Sequence, residues 1–119
     1  MPFKFNLQRY SMDPQQLANT IWAQAKLGRM PAEKTWAALE SAAVRVAPDM
    51  KGHALASTAW SFASFKKMPG EKTWAALDAA AARLAPDMHS QNVSITVWSY
   101  ATLGRVPGEE AWWGAVQVE

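Results

Sequence analysis

Cysteine is absent from all 119 residues, which excludes disulfides, thiol chemistry and cysteine-based zinc sites together. No apolar run approaches the ~18 residues that a membrane-spanning helix needs, so no membrane partner is expected. Charge of either sign is scarce: 12 basic residues stand against 10 acidic ones, for a formal net charge of +2. A balance so close to neutral argues neither for nor against nucleic acid; only its distribution can. His53 and His89 are the two histidines, and neither has a second histidine or a repeated carboxylate at ligand spacing. No metal site or acid–base pair is therefore expected. A glycine-rich phosphate loop and a serine–histidine arrangement are missing as well. The sequence points to no catalytic residue, no cofactor and no small-molecule substrate. The opening stretch from Met1 to Tyr10 is too short and too mixed for a secretory signal.

What the chain does have is tryptophan at a fixed step. Trp22, Trp60 and Trp98 form one ladder and Trp36, Trp74 and Trp112 a second, both with a 38-residue spacing. Pro31, Pro69 and Pro107 keep the step, as do Met12, Met50 and Met88. A period in this range marks a repeat array, in which each unit buries its apolar face against the next. The expected division is a lead-in over 1–13, units at 14–51 and 52–89, and a shortened third unit at 90–119. The last segment carries an extra Trp113 and no polar cap, so the array is expected to continue beyond this chain.

Each unit divides at its prolines into two helices, A and B. In the first A segment, Pro14 to Arg29, Leu17, Ala18, Ile21, Trp22 and Ala25 gather on one side at 100° per residue. Gly28 and Gly104 permit the turn, and Pro31, Pro69 or Pro107 opens helix B in its first turn. Trp36, Leu39, Ala42, Ala43 and Val46 make the stripe of helix B. Glu33, Glu71 and Glu109 in its first turn, and Arg45 and Arg83 in its last, match the helix dipole. Asp49 and Asp87 are candidate caps for the following A helices, with Asp13 in a slightly different place in the first unit. No strand pattern competes, so the expected fold is all-α: a right-handed α-solenoid of helix–turn–helix repeats. Both tryptophan ladders fall within apolar stripes and are expected in the core. Phe62 and Tyr100, which replace Gln24 at the stripe's edge, are better placed to stack on a ligand.

The units also differ among themselves in an informative way. Residues 31–46 match 69–84 at 11 of 16 positions, whereas 14–29 match 52–67 at only 5. Helix A keeps its packing and changes its polar face: Gln16, Asn19 and Lys26 become Ala54, Ser57 and Ser64, then Asn92, Ile95 and Thr102. A surface that varies from unit to unit suits a partner read one segment at a time. The candidate contact residues are Gln15, Gln16, Asn19 and Lys26 in the first unit, then His53, Ser57, Ser61 and Ser64. Gln91, Asn92, Ile95, Ser99 and Thr102 complete the set. Short hydrogen-bonding groups of this kind suit base edges, and they suit a peptide backbone too. Arg29, Lys66, Lys67 and Arg105, at the C-terminal ends of the A helices, form a candidate basic edge for phosphates.

The string Leu17-Ala-Asn-Thr-Ile-Trp22-Ala-Gln-Ala-Lys-Leu-Gly28 resembles the octotricopeptide repeat family, a degenerate 38-residue helical pair. Leu55 to Ala63 and Val93 to Gly104 match it progressively less well, and Pro31 to Trp36 and Pro69 to Trp74 fit the family's second helix. The resemblance covers residues 14 to 113. It implies an array that binds single-stranded RNA in an organelle, chloroplast first and mitochondrion second, and that stabilises, processes or promotes translation of a transcript. The chain has one proline before helix B where the family often has several. It lacks the nuclease-like domain of some relatives, so RNA cleavage is not implied. A protein–protein scaffold of the tetratricopeptide kind remains the alternative.

Overall fold

Residues 12–105 are described by the computed structural model, and among them every regular element is helical. Five helices follow one another: α1 (Pro14–Lys26), α2 (Glu33–Val46), α3 (Gly52–Phe65), α4 (Glu71–Leu84) and α5 (Ser90–Thr102). Short 3-10 turns, Ala47–Asp49 and Ala85–Asp87, carry the chain from α2 into α3 and from α4 into α5. Helix starts at residues 14, 52 and 90, and at 33 and 71, are 38 residues apart. Trp112, Trp113, Glu109 and the third helix B expected from the sequence lie outside the described residues.

Local chemistry explains where the helices begin and end. Asp13 caps α1 through a reciprocal pair: its Oδ1 accepts from Gln16 N at 2.7 Å, and Gln16 Oε1 accepts from Asp13 N at 3.1 Å. This capping box satisfies two otherwise orphaned donors. The caps expected from Asp49 and Asp87 do not form. Those residues sit inside the 3-10 turns, and Lys51 and His89 occupy the cap positions with no side-chain bond. Pro31 and Pro69 likewise stand two residues ahead of α2 and α4, because Ala32 and Gly70 are still extended.

All three A helices end in the same left-handed turn. Gly28 and Gly104 take φ of 67° and 72°, and Lys66 takes 53° at the matching position. Each turn closes two hydrogen bonds, as from Gly28 N to Ala25 O and from Arg29 N to Gln24 O. Lys66 N and Lys67 N, then Gly104 N and Arg105 N, repeat the pattern on Ala63, Phe62, Ala101 and Tyr100. It is the six-to-one closure that satisfies helix-end carbonyls.

The helices lie in two layers. α1, α3 and α5 pack side by side, α2 packs on α4, and each B helix packs on its own A helix. Leu17, Ile21, Leu39, Leu55 and Leu77 are fully buried in the shared core with Trp36. Trp36 and Trp74, the two described members of the second tryptophan ladder, tie successive pairs together. Trp36 meets Phe62 edge-on at 5.1 Å, and Trp74 meets Tyr100 at 4.8 Å. Phe62 and Tyr100 are thus core residues and not the open stacking surfaces expected of them. Polar ties follow the same order. Glu40 Oε1 accepts from Gly70 N and Thr73 Oγ1, both at 2.8 Å, capping α4 from the preceding helix pair. Arg83 donates to Met50 O at 2.8 Å and Ala47 O at 3.2 Å, fastening α4 to the entry of α3.

Candidate nucleic-acid interface

α3 is flanked on both sides, so its accessible surface is a narrow strip. Ala54, Leu55, Ala56, Thr58, Ala59, Ser61, Phe62 and Ala63 are all buried. Between Gly52 and Phe65 at its two ends, that leaves His53, Ser57, Trp60 and Ser64, spaced i, i+4, i+7 and i+11 along one helix line. The matching positions on α1 are Gln15, Asn19, Trp22 and Lys26, all exposed. On α5 they are Gln91, Ile95, Trp98 and Thr102, exposed except for a half-buried Ile95. Nine of these twelve side chains are candidate contact residues from the sequence, now brought onto one face of three adjacent helices.

The remaining three are the first tryptophan ladder, and here the expectation of a core role fails. Trp22 is 44% exposed and Trp98 52% exposed, with Trp60 half-buried between them. At 100° per residue Trp22 falls within about 60° of Gln15, Asn19 and Lys26, at the border of the apolar stripe. Trp36 and Trp74 stand at the same border of their own stripes and are buried, so the angle alone does not separate the ladders. The difference is tertiary: the next A helix brings Phe62 and Tyr100 against the second ladder.

Other candidates are placed elsewhere. Ser61 and Ser99 are fully buried, each hydroxyl donating to its own helix at 2.7 Å, onto Ser57 O and Ile95 O. Bonding back to the carbonyl four residues earlier lets a serine sit in a core, so neither is available to a ligand. Gln16 is exposed but serves the cap of α1. Asn92 is half-buried and lines the strip's groove.

Two shallow grooves run along the strip. One, of about 270 Å³, lies between Trp22 and Trp60 and includes His53, Ser57, Asn92 and Ile95. The other, of about 260 Å³, lies between Trp60 and Trp98 over Ser94 and Ile95. Sharing Trp60 and Ile95, they form one track across α1, α3 and α5. Each is smaller than the ~300–1,000 Å³ of a site that engulfs a small molecule.

Charge is segregated between the layers. α1, α3 and α5 contain no aspartate or glutamate. Among the described residues the carboxylates stand in α2 (Glu33, Glu40), in α4 (Glu71, Asp78), in the 3-10 turns (Asp49, Asp87) and at the α1 cap (Asp13). Lys26 Nζ lies 5.6 Å from the centre of the Trp22 ring, on the strip itself. The candidate basic edge is divided. Arg29 and Lys66 are exposed. Lys67 Nζ sits 5.7 Å over the Trp36 ring, and the Arg105 guanidinium sits 5.1 Å over Trp74. Arg105 also pairs with Glu71 at 3.2 Å and Asp78 at 3.7 Å, so it is held by structure already in place. Asp78 Oδ1 further accepts from the Tyr100 hydroxyl at 2.8 Å; burial and the adjacent carboxylate push that hydroxyl well above its ordinary ionisation range.

No group of three or more histidine, aspartate or glutamate side chains capable of holding a metal occurs among the described residues. No described helix is long and apolar enough to cross a membrane. No protein-family model matches the chain, and neither does any curated protein or solved structure with which it was compared.

Proposed function

We propose that the chain is a modular single-stranded RNA-binding repeat protein, with its helical pairs stacked as a right-handed α-solenoid of 38-residue period. Support for the solenoid comes from the two-layer packing and from ties that recur at that step, Trp36 to Phe62 and Trp74 to Tyr100. The observation that carries the RNA reading is the open strip on α1, α3 and α5: carboxylate-free, with reading positions that change from helix to helix. A neutral-to-basic face favours a polyanion, and unit-to-unit variation favours a partner met in segments. Helical-repeat arrays read about one base per unit, so three units contact about three bases and bind weakly alone. The resemblance to octotricopeptide repeats makes an organellar transcript the partner to test, chloroplast before mitochondrion, with stabilisation, processing or translation as the step served.

Filter binding of the full chain to short single-stranded RNA pools over a salt series tests this. Three phosphate contacts give a slope of roughly −2 in log K against log salt. Lys26→Ala combined with Lys66→Ala should flatten that slope by removing two of the contacts. A salt-insensitive response, or no RNA binding at low salt, would count against it. The second reading, a protein scaffold, draws on the apolar lining of Trp60, Ile95 and Trp98. It requires peptide binding that is indifferent to salt.

A further inference from the structure

We infer that Trp22, Trp60 and Trp98 are a stacking ladder that takes one nucleobase into each of the two gaps between successive rings, two of the roughly three bases met by the array, with His53, Ser57 and Asn92 reading the base edge in the first gap. The inference rests on the RNA-binding reading and supplies the site through which it acts.

Three features of the strip lead there. Tryptophan is the one side chain retained at its strip position in all three helices. The other positions change, from Gln15 to His53 to Gln91, from Asn19 to Ser57 to Ile95, and from Lys26 to Ser64 to Thr102. Core packing does not account for that retention, because the rings of α1 and α5 are about half exposed. Trp36 and Trp74 show how this chain treats an indole that serves the core, burying each against the next helix pair. The gaps themselves are continuous, since Trp60 and Ile95 line both grooves.

Spacing and charge then choose the occupant. Packed helices lie about 8–10 Å apart, and the three tryptophans stand at equivalent positions on neighbouring A helices. A base held about 3.4 Å from each of two rings needs about 7 Å, which a helix spacing of that order accommodates. A flat aromatic guest attached to a polyanion suits a track with no carboxylate on its three helices and with Lys26 beside the first ring. Stacking tolerates any base because every base has a π-face. Selectivity must come from the neighbours: His53, Ser57 and Asn92 put hydrogen-bonding groups on the Trp22–Trp60 gap, whereas Ser94 alone does so on the Trp60–Trp98 gap. Base preference should therefore be stronger in the first gap than in the second.

The test titrates the full chain with an oligouridine 12-mer and with an abasic 12-mer of the same length, at low salt. Stacking is worth about 1–3 kcal/mol per base, so Trp22→Ala and Trp98→Ala should each weaken oligouridine binding roughly tenfold, with the chain still folded at the assay temperature. Trp22→Phe should recover most of that loss. The abasic oligomer should bind more weakly to the intact chain and ignore both alanine substitutions. Undiminished oligouridine binding by both alanine variants overturns the ladder and leaves RNA binding by this chain intact. Failure of the intact chain to bind either oligomer overturns both readings, as does capture of an apolar peptide at the ladder in place of RNA.

Discussion

The Trp74 ring meets the Tyr100 ring edge-on, 4.8 Å between centres and 70° between planes, and joins α4 to the A helix that follows it. Trp36 and Phe62 repeat the arrangement 38 residues earlier, at 5.1 Å and 81°. A cation lies over each indole, Lys67 on Trp36 and Arg105 on Trp74. The joint between helix pairs is thus an aromatic pair with a cationic lid. Two of the basic residues that sequence alone offers to phosphates are spent on it.

Trp74→Ala should cost about 3–5 kcal/mol in urea unfolding, as large core aromatic deletions do. Trp22→Ala should cost clearly less, about 1–2 kcal/mol, because 44% of its surface is already open to solvent. Equal losses from the two would contradict the separation of a core ladder from a surface ladder.

How far the sequence foretold this can be judged from those two residues. Trp36 and Trp74 stand at one border of their stripes, about 60° from Leu39 and Leu77, and their core role comes from the next helix pair, whose Phe62 and Tyr100 close against them. Trp22 sits on the same border of its own stripe, where composition says core and angle says surface. Only knowing that α3 is packed by neighbours on both flanks, leaving one narrow line open, decides between them. The variable face was legible because internal repeats supply their own comparison. Ser61 and Ser99 depart from the expected contact role because a serine that bonds back to its own helix looks polar in sequence and behaves as filler in a core. Phe62 and Tyr100 depart from the expected stacking role for the converse reason. Their partners, Trp36 and Trp74, lie in the preceding unit, and no periodicity within one helix reveals that.

Lys66→Gly should stabilise the protein by about 1 kcal/mol. Lys66 holds φ of 53° where Gly28 and Gly104 occupy the equivalent turns, and a left-handed residue with a Cβ carries a penalty of about 1–2 kcal/mol. Part of that gain is offset because glycine loses more freedom on folding. A lower urea midpoint for the variant would contradict the strain assigned to this turn.

Glu40→Ala should destabilise by roughly 1–3 kcal/mol, since it strips a charged acceptor from both Gly70 N and Thr73 Oγ1 at the start of α4. Glu40→Gln keeps one acceptor oxygen and should recover part of the loss. Amide exchange in the first turn of α4 should speed up in the alanine variant, and unchanged protection there would argue against this cap.

Tyr100 makes stability pH-dependent on the alkaline side. Its folded ionisation lies above the unfolded value, so the contribution is fully present below about pH 10 and declines above it as the unfolded chain ionises first. Tyr100→Phe should be less stable than the wild type at neutral pH, by about 1–3 kcal/mol for the bond to Asp78. The difference should shrink above about pH 10. A gap that stays constant up to pH 11 would contradict the coupling.

Photocrosslinking of the full chain to single-stranded RNA, mapped by mass spectrometry, bears most directly on the proposed interface. Crosslinks should concentrate in α1 and α3, at Trp22, Trp60 and their strip neighbours Asn19 and Ser57, and compete away as salt rises. Crosslinks that fall on the outer faces of α2 and α4 would contradict it.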